Sequence, residues 1–204
     1  MYNRCVHDES ADQAAIDACL AGDPEAFAPL VSRYQEVAFR TAYLIVRDAE
    51  AARDVAQEAF VRTYRGLRRF EPGSNFRPWL LRIVTNLALN EIRGRHRQGN
   101  LVQRIIPFVG ASGPPPDRAV EQDEFRGEVW EAVNTLPQND RVVLYLRHYL
   151  NLPEAEIAAV IGKRPGTVKS RLSRASARLR EIIERDHPAL VPQTARPGVH
   201  HDQP

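Results

Sequence analysis

Between Lys163 and Arg180 the chain carries seven basic residues and no acid. Lys169, Ser170, Arg171, Ser173, Arg174 and Arg178 alternate there with Val168, Leu172 and Ala175 at three- and four-residue steps. On a helix running from about Pro165 to Arg180, such steps gather the apolar residues into one stripe and turn the polar ones outward. Arginine and lysine fit guanine edges and phosphates, and serine is small enough to let a backbone come close. The free N–H groups near Pro165-Gly166-Thr167 suit a phosphate at the helix start. The chemistry implied is recognition of a polyanion, against the plainer reading of a solvated basic face.

A second stripe has the same character. Arg82, Asn86, Asn90, Arg93 and Arg97 recur at steps of four, four, three and four, opposite Trp79, Leu80, Ile83, Val84, Leu87 and Ala88. Asparagine is a mediocre helix former, so two on one face ask for a reason. Amides hydrogen-bond to base edges and arginines hold phosphates, although exposed polarity alone accounts for the two asparagines at least as well. A third face is acidic, with Asp48, Glu50, Asp54, Gln57 and Glu58. The helix dipole explains Asp48 and Glu50; it explains Asp54, Gln57 and Glu58 less well, which favours a protein-binding surface. The formal charge of +2 hides strong segregation: −6 over residues 1–60, +8 over 61–104, −5 over 105–162, +7 over 163–180 and −2 over 181–204. Two basic blocks separated by acidic ones predict two contacts with nucleic acid.

Other chemistries find little support. The six histidines, His7, His96, His148, His187, His200 and His201, stand apart from any nucleophile or metal-ligand spacing. There is no glycine-rich phosphate loop, so neither an enzyme nor a cofactor is expected. Cys5 and Cys19 make no disulfide framework, and with His7 they lack the fourth ligand and regular spacing of a metal site. No apolar run reaches the roughly 20 residues of a membrane span, and no signal peptide is evident. A soluble, cytoplasmic protein is expected.

The elements that must position these faces are all helical. Asp23-Pro24-Glu25 opens a helix continuing to about Val46. Asp48 caps a second, and a third begins near Phe76 with Pro78 in its first turn. These three close a domain over residues 23–96, behind an N-terminal extension (1–22) that is weakly structured. Glycines and the Pro114-Pro115-Pro116 run make 97–119 an irregular linker, with an unusual apolar patch at Ile105, Ile106, Phe108 and Val109. A second domain, 120–185, has a helix marked by Phe125, Val129, Val133 and Leu136, another by Val142, Val143, Leu146 and Leu150, then a short helix from about Pro153 to Ile161. Gly162 makes the turn into the basic helix, which completes a helix-turn-helix. The tail 186–204 is expected to be disordered.

DVAQEAFVRTYRGLRRF (54–70) and FRPWLLRIVTNLALNEIR (76–93) closely resemble region 2 of extracytoplasmic-function sigma factors of bacterial RNA polymerase, in the sigma-70 family. Residues 136–183, with GTVKSRLSRA at their centre, resemble region 4. The likeness spans about 24–96 and 120–184, in the family's order and spacing. It implies a factor that binds core RNA polymerase and directs it to promoters. Asp54, Gln57 and Glu58 match the surface that docks on the clamp helices of the beta-prime subunit, and the beta flap is a further implied partner. The loop Glu71 to Phe76, with Asn75, Trp79, Arg82, Asn86, Asn90 and Arg93, matches the part that reads and melts the minus-10 element, holding an extruded base. Thr167, Lys169, Ser170, Arg171, Ser173, Arg174 and Arg178 match the reader of the minus-35 element. The linker matches the segment threaded near the active centre, and an anti-sigma protein is an implied partner. One departure is Arg164, where the family often has a Ser or Thr cap; Thr167 is the alternative cap. The rivals are a stand-alone operator-binding regulator and a protein-interaction module with incidental basic faces. An acidic face joined to an Arg/Asn stripe in the first domain speaks against both.

Overall fold

A computed structural model describes residues 9–71, 73–99 and 124–191, which form helices and turns with no strand among them. The helices are α1 (Glu9–Leu20), α2 (Ala28–Val46), α3 (Ala49–Gly66), α4 (Phe76–Gly99), α5 (Glu124–Thr135), α6 (Gln138–Leu144), α7 (Glu154–Ile161) and α8 (Pro165–Asp186). Cys5 and His7 lie outside the described residues, as does the apolar patch at 105–109.

Local chemistry sets the helix starts. The Asp23 carboxylate accepts from the Glu25 N–H at 3.0 Å, and the short turn Pro24–Phe27 leads into α2. Asp48 accepts from the Ala51 N–H at 2.8 Å and opens α3, satisfying one of the donors a helix leaves over at its start. Asn75 does the same for α4 through the Arg77 N–H at 3.1 Å. Gly162 ends α7 at φ 63, a left-handed conformation that costs glycine little.

Three expectations need correcting. Residues 9–20 are a helix, not a weakly structured extension. Ala11, Ala14, Ala15 and Ala18 favour that conformation, and Ile16 is buried in the core. Asp12, only 3% exposed, accepts from the Tyr34 hydroxyl and the Arg33 guanidinium. A buried carboxylate is tolerable only when so paired. Burial and the Asp12 carboxylate together hold the Tyr34 phenol well above its ordinary pKa. Asp12→Ala removes the acceptor shared by two donors and is expected to lower stability by about 1–3 kcal/mol, read as a lower urea midpoint with unchanged m-value. The second correction is at the linker, where α4 continues to Gly99. The third is at the tail, where Pro188–Leu190 form a turn that buries Leu190 against α5 and α8; residues 192–204 lie outside the described ones.

The first unit packs α2, α3 and α4 against one another, with α1 across one end. Ala51, Ala52, Ala56 and Ala59 give α3 a small-residue face that lets its neighbours approach closely. The second unit packs α6 and α7 against α8. The two units are also packed on each other, α4 against α7 and α2 against α6, and one apolar core runs from Ile16 to Ala175. All six residues from Thr41 to Val46 in α2 are buried. A helix wetted on one face cannot bury six in a row; here α3 and α4 cover one side and α6 another.

Candidate nucleic-acid interface

The basic face of α8 is built by the turn before it. Arg164 occupies the N-cap position without a side-chain cap, and Pro165 opens the helix, so Thr167 lies inside the first turn and is not the cap. Val168, Leu172 and Ala175 are buried against the second unit. Thr167, Lys169, Ser170, Ser173 and Arg174 are exposed, and Arg171 is half-buried. The Ser170 hydroxyl donates to the Thr167 carbonyl at 3.1 Å, and Arg174 Nε donates to the Ser170 carbonyl at 3.2 Å. These bonds lay the Arg174 guanidinium along the helix surface. Arg178 differs from its neighbours: its Nη1 lies 2.6 Å from Asp140 Oδ2, on a carboxylate that is nearly buried at the start of α6. Its head group is anchored, and its charge is partly neutralised within the fold.

The α4 stripe divides in the same way. Arg82, Asn86, Asn90 and Arg93 are exposed, with Arg93 Nη1 donating to Asn90 Oδ1 at 3.2 Å. Phe76 is 2% exposed and faces Tyr34 and Phe70 at centroid distances of 5.4 and 6.1 Å. It is therefore packed inside the fold, directly after Asn75, and presents no open ring. Trp79 is half-buried, 5.0 Å from Phe70 and 5.9 Å from Phe76. It lies over Gly66, where an added Cβ would stand 3.4 Å from the indole. Asn75 is tied twice, through Arg77 N–H and by donating Nδ2 to Glu9 Oε1 of α1 at 3.3 Å.

Asp54, Gln57 and Glu58 are exposed together on α3. A groove between α3 and α4 holds Asp48, Glu50, Asp54, Glu58 and Glu91, floored by Ala51, Val55 and Leu87. Arg62 and Arg95 line it as well, pairing with Glu58 at 2.7 Å and Glu91 at 2.9 Å. An acidic, apolar-floored groove suits a basic helical partner. Sequence reasoning missed Glu91 and Arg95, although their four-residue spacing marks an ion pair on one helix face. Asn90 also lines this groove, so it stands where the acidic and basic faces meet.

A second groove lies between the two units, lined by Arg82 of α4, by Ala158 and Ala159 of α7, and by Gly162, Lys163, Arg164 and Thr167 at the turn into α8. Residues from both basic faces thus converge. No described helix is long and apolar enough to cross a membrane.

Comparison with known proteins adds independent observations. Residues 30–98 match the family model for sigma-70 region 2, and residues 126–179 match that for sigma-70 region 4. The RNA polymerase sigma-H factor of Pseudomonas aeruginosa is 34% identical over 87% of this chain and 94% of its own length. The ECF RNA polymerase sigma-E factor of Escherichia coli is 33% identical over 91% of this chain and 99% of its own. Among solved structures, the sigma factor RpoE of Bartonella quintana, in complex with the anti-sigma factor NepR, is 25% identical with a TM-score of 0.67, covering 78% of this chain and 98% of that one. CnrH, in complex with the cytosolic domain of CnrY, is 25% identical with a TM-score of 0.63, covering 86% of this chain and 99% of that one.

Proposed function

Since this chain belongs to the extracytoplasmic-function sigma factors of the sigma-70 family, and so binds core RNA polymerase and directs promoter-specific transcription, we propose how its surfaces divide that work. The acidic groove on α3, with Asp54, Gln57 and Glu58, docks on the clamp helices of the beta-prime subunit. Asn75, Trp79, Arg82, Asn86, Asn90 and Arg93 read and open the minus-10 element, with Phe76 holding the loop in shape. Thr167, Lys169, Ser170, Arg171, Ser173 and Arg174 read the minus-35 element in the major groove, and Arg178 contributes to a phosphate only by leaving Asp140.

The observation that carries this reading is α8 itself: an acid-free exposed face from Lys169 to Arg174, set by a short helix and a left-handed glycine turn. Cationic side chains at a helix start supply both phosphate affinity and base contacts. The factor acts in the cytoplasm as a non-enzymatic initiation factor. An anti-sigma protein is its regulator; support comes from the similar sigma factor RpoE, solved with such a partner.

The test is co-purification with core polymerase followed by run-off transcription on genomic templates. Association and stimulated initiation on a subset of templates are expected. Failure to stimulate on any template overturns the reading.

A further inference from the structure

The loop from Glu71 to Asn75 leaves the fold and returns to it between two buried rings that touch. Phe70 and Phe76 are 7% and 2% exposed, with centroids 6.1 Å apart, while Glu71, Gly73 and Ser74 are exposed. Within the loop the Ser74 N–H donates to the Glu71 carbonyl at 3.0 Å. Gly73 has φ 79, a conformation that glycine reaches at little cost. These contacts bring the ends of the loop together, but they leave the Asn75 amide free to turn.

α1 supplies the missing constraint. Glu9, Asp12 and Ile16 recur at steps of three and four, which places them on one face of that helix. Ile16 enters the core, and Asp12 accepts from the Tyr34 hydroxyl and the Arg33 guanidinium. The Tyr34 ring in turn lies 5.4 Å from that of Phe76, the residue after Asn75. α1 also lies against the 67–69 turn before the loop and against α4 after it. One turn ahead of Asp12, the exposed Glu9 carboxylate takes the Asn75 amide, whose Nδ2 donates to Oε1 at 3.3 Å. Asn75 Oδ1 already accepts from the Arg77 N–H at 3.1 Å. An amide engaged at both its oxygen and its nitrogen cannot flip, so its remaining N–H and lone pair keep fixed directions. The Glu9–Asn75 bond spans 66 positions and lies on the surface. A bond so placed adds little to stability; what it fixes is the presentation of one side chain of the loop.

We propose that α1 is part of the minus-10 reader and that Glu9 is a positioning residue, holding the Asn75 amide in the orientation that receives the extruded base. Asp12 and Ile16 fix the helix from which Glu9 does so. The proposal rests on the minus-10 role given above to Asn75, and it adds a residue that acts through Asn75 without touching DNA. Its effect falls on strand opening and single-strand capture, because polymerase docking and minus-35 contacts are assigned to other faces, on α3 and α8.

The test uses holoenzyme assembled from core polymerase and the full chain, on a promoter taken from the run-off templates. Strand opening is read from a fluorescent adenine analogue in the non-template strand of the minus-10 element. Capture is read as affinity for the single-stranded non-template minus-10 oligonucleotide. Glu9→Ala is expected to lower both by roughly two- to tenfold, the worth of one hydrogen bond. Core binding, and affinity for a duplex carrying only the minus-35 element, are expected to be unchanged. Glu9→Gln keeps an oxygen that accepts from Asn75 Nδ2 while losing the charge, and is expected to match the unsubstituted protein. Asn75→Ser keeps an oxygen able to cap α4 and removes the amide nitrogen; in that background Glu9→Ala is expected to cause no further loss.

A further loss there overturns the proposal, since Glu9 would then act by another route. A Glu9→Gln defect equal to that of Glu9→Ala assigns the effect to the charge at the start of α1 and overturns it too. So does a Glu9→Ala defect accompanied by a lower melting temperature and weaker minus-35 binding, which is a loss of fold. A defect in Asn75→Ser with none in Glu9→Ala removes the proposal alone, whereas no defect in Asn75→Ser removes the minus-10 role of Asn75 and the proposal with it.

Discussion

Asp54→Arg is expected to weaken binding to core RNA polymerase by at least about 100-fold while leaving the isolated chain folded. Asp54 is exposed, forms no ion pair among the described residues, and lines the α3–α4 groove beside Asp48, Glu50 and Glu58. Replacing it costs little internally, because surface changes away from special features shift stability by only about 0.5 kcal/mol. Against a basic partner the effect is of another order. Placing like charges opposite one another costs several kcal/mol, and each 1.4 kcal/mol is tenfold in affinity. Competition binding against the unsubstituted factor, with thermal melts of both proteins, measures the two quantities separately. Affinity within threefold of the unsubstituted protein would remove α3 from the polymerase interface.

The double substitution Arg171→Ala, Arg174→Ala is expected to act on DNA instead. If each guanidinium meets a base edge or a phosphate, each loss costs about 1–3 kcal/mol, and the two together lower minus-35-dependent initiation by roughly 30- to 20,000-fold at 1.4 kcal/mol per tenfold. Two lost phosphate contacts would also flatten the dependence of log affinity on log salt by about 2. Among the described residues neither side chain forms an ion pair, and Arg174 bonds a carbonyl of its own helix. Polymerase binding and the melting temperature should therefore be unchanged. Unchanged initiation together with an unchanged salt slope would move the minus-35 interface off this face of α8.

These faces were legible because they depend on short-range signals. Asp48 before α3, Pro78 inside the first turn of α4, and Gly162 before α8 each act within a few residues, and the apolar steps of α8 fix which side faces out. What could not be read depends on distant partners. α1 was missed because its one large buried apolar residue is Ile16 and its other anchor is Asp12, a carboxylate that reads as surface until Tyr34 and Arg33 come into view. Phe76 looks like an exposed loop aromatic next to Asn75, yet it is claimed by Tyr34, 42 positions earlier. The pairing of Arg40 with the Tyr149 hydroxyl spans 109 positions and leaves no local trace. One sign of it was available: the run Thr41–Val46 is almost entirely apolar over more than a full turn, which asks for cover on more than one side. Leu190 was lost for the same reason, since a lone leucine in a proline-containing tail gives no periodicity.

The placement of Trp79 has an optical consequence. The chain has two tryptophans, and the other, Trp130, lies on α5 in the second unit with its indole N–H buried. With Trp130 replaced by phenylalanine, all indole emission comes from one ring wedged between Phe70, Phe76 and Gly66, at the base of the loop proposed to capture an extruded base. An unlabelled, full-length protein thus carries its own reporter of strand opening, readable in stopped flow on the timescale of initiation.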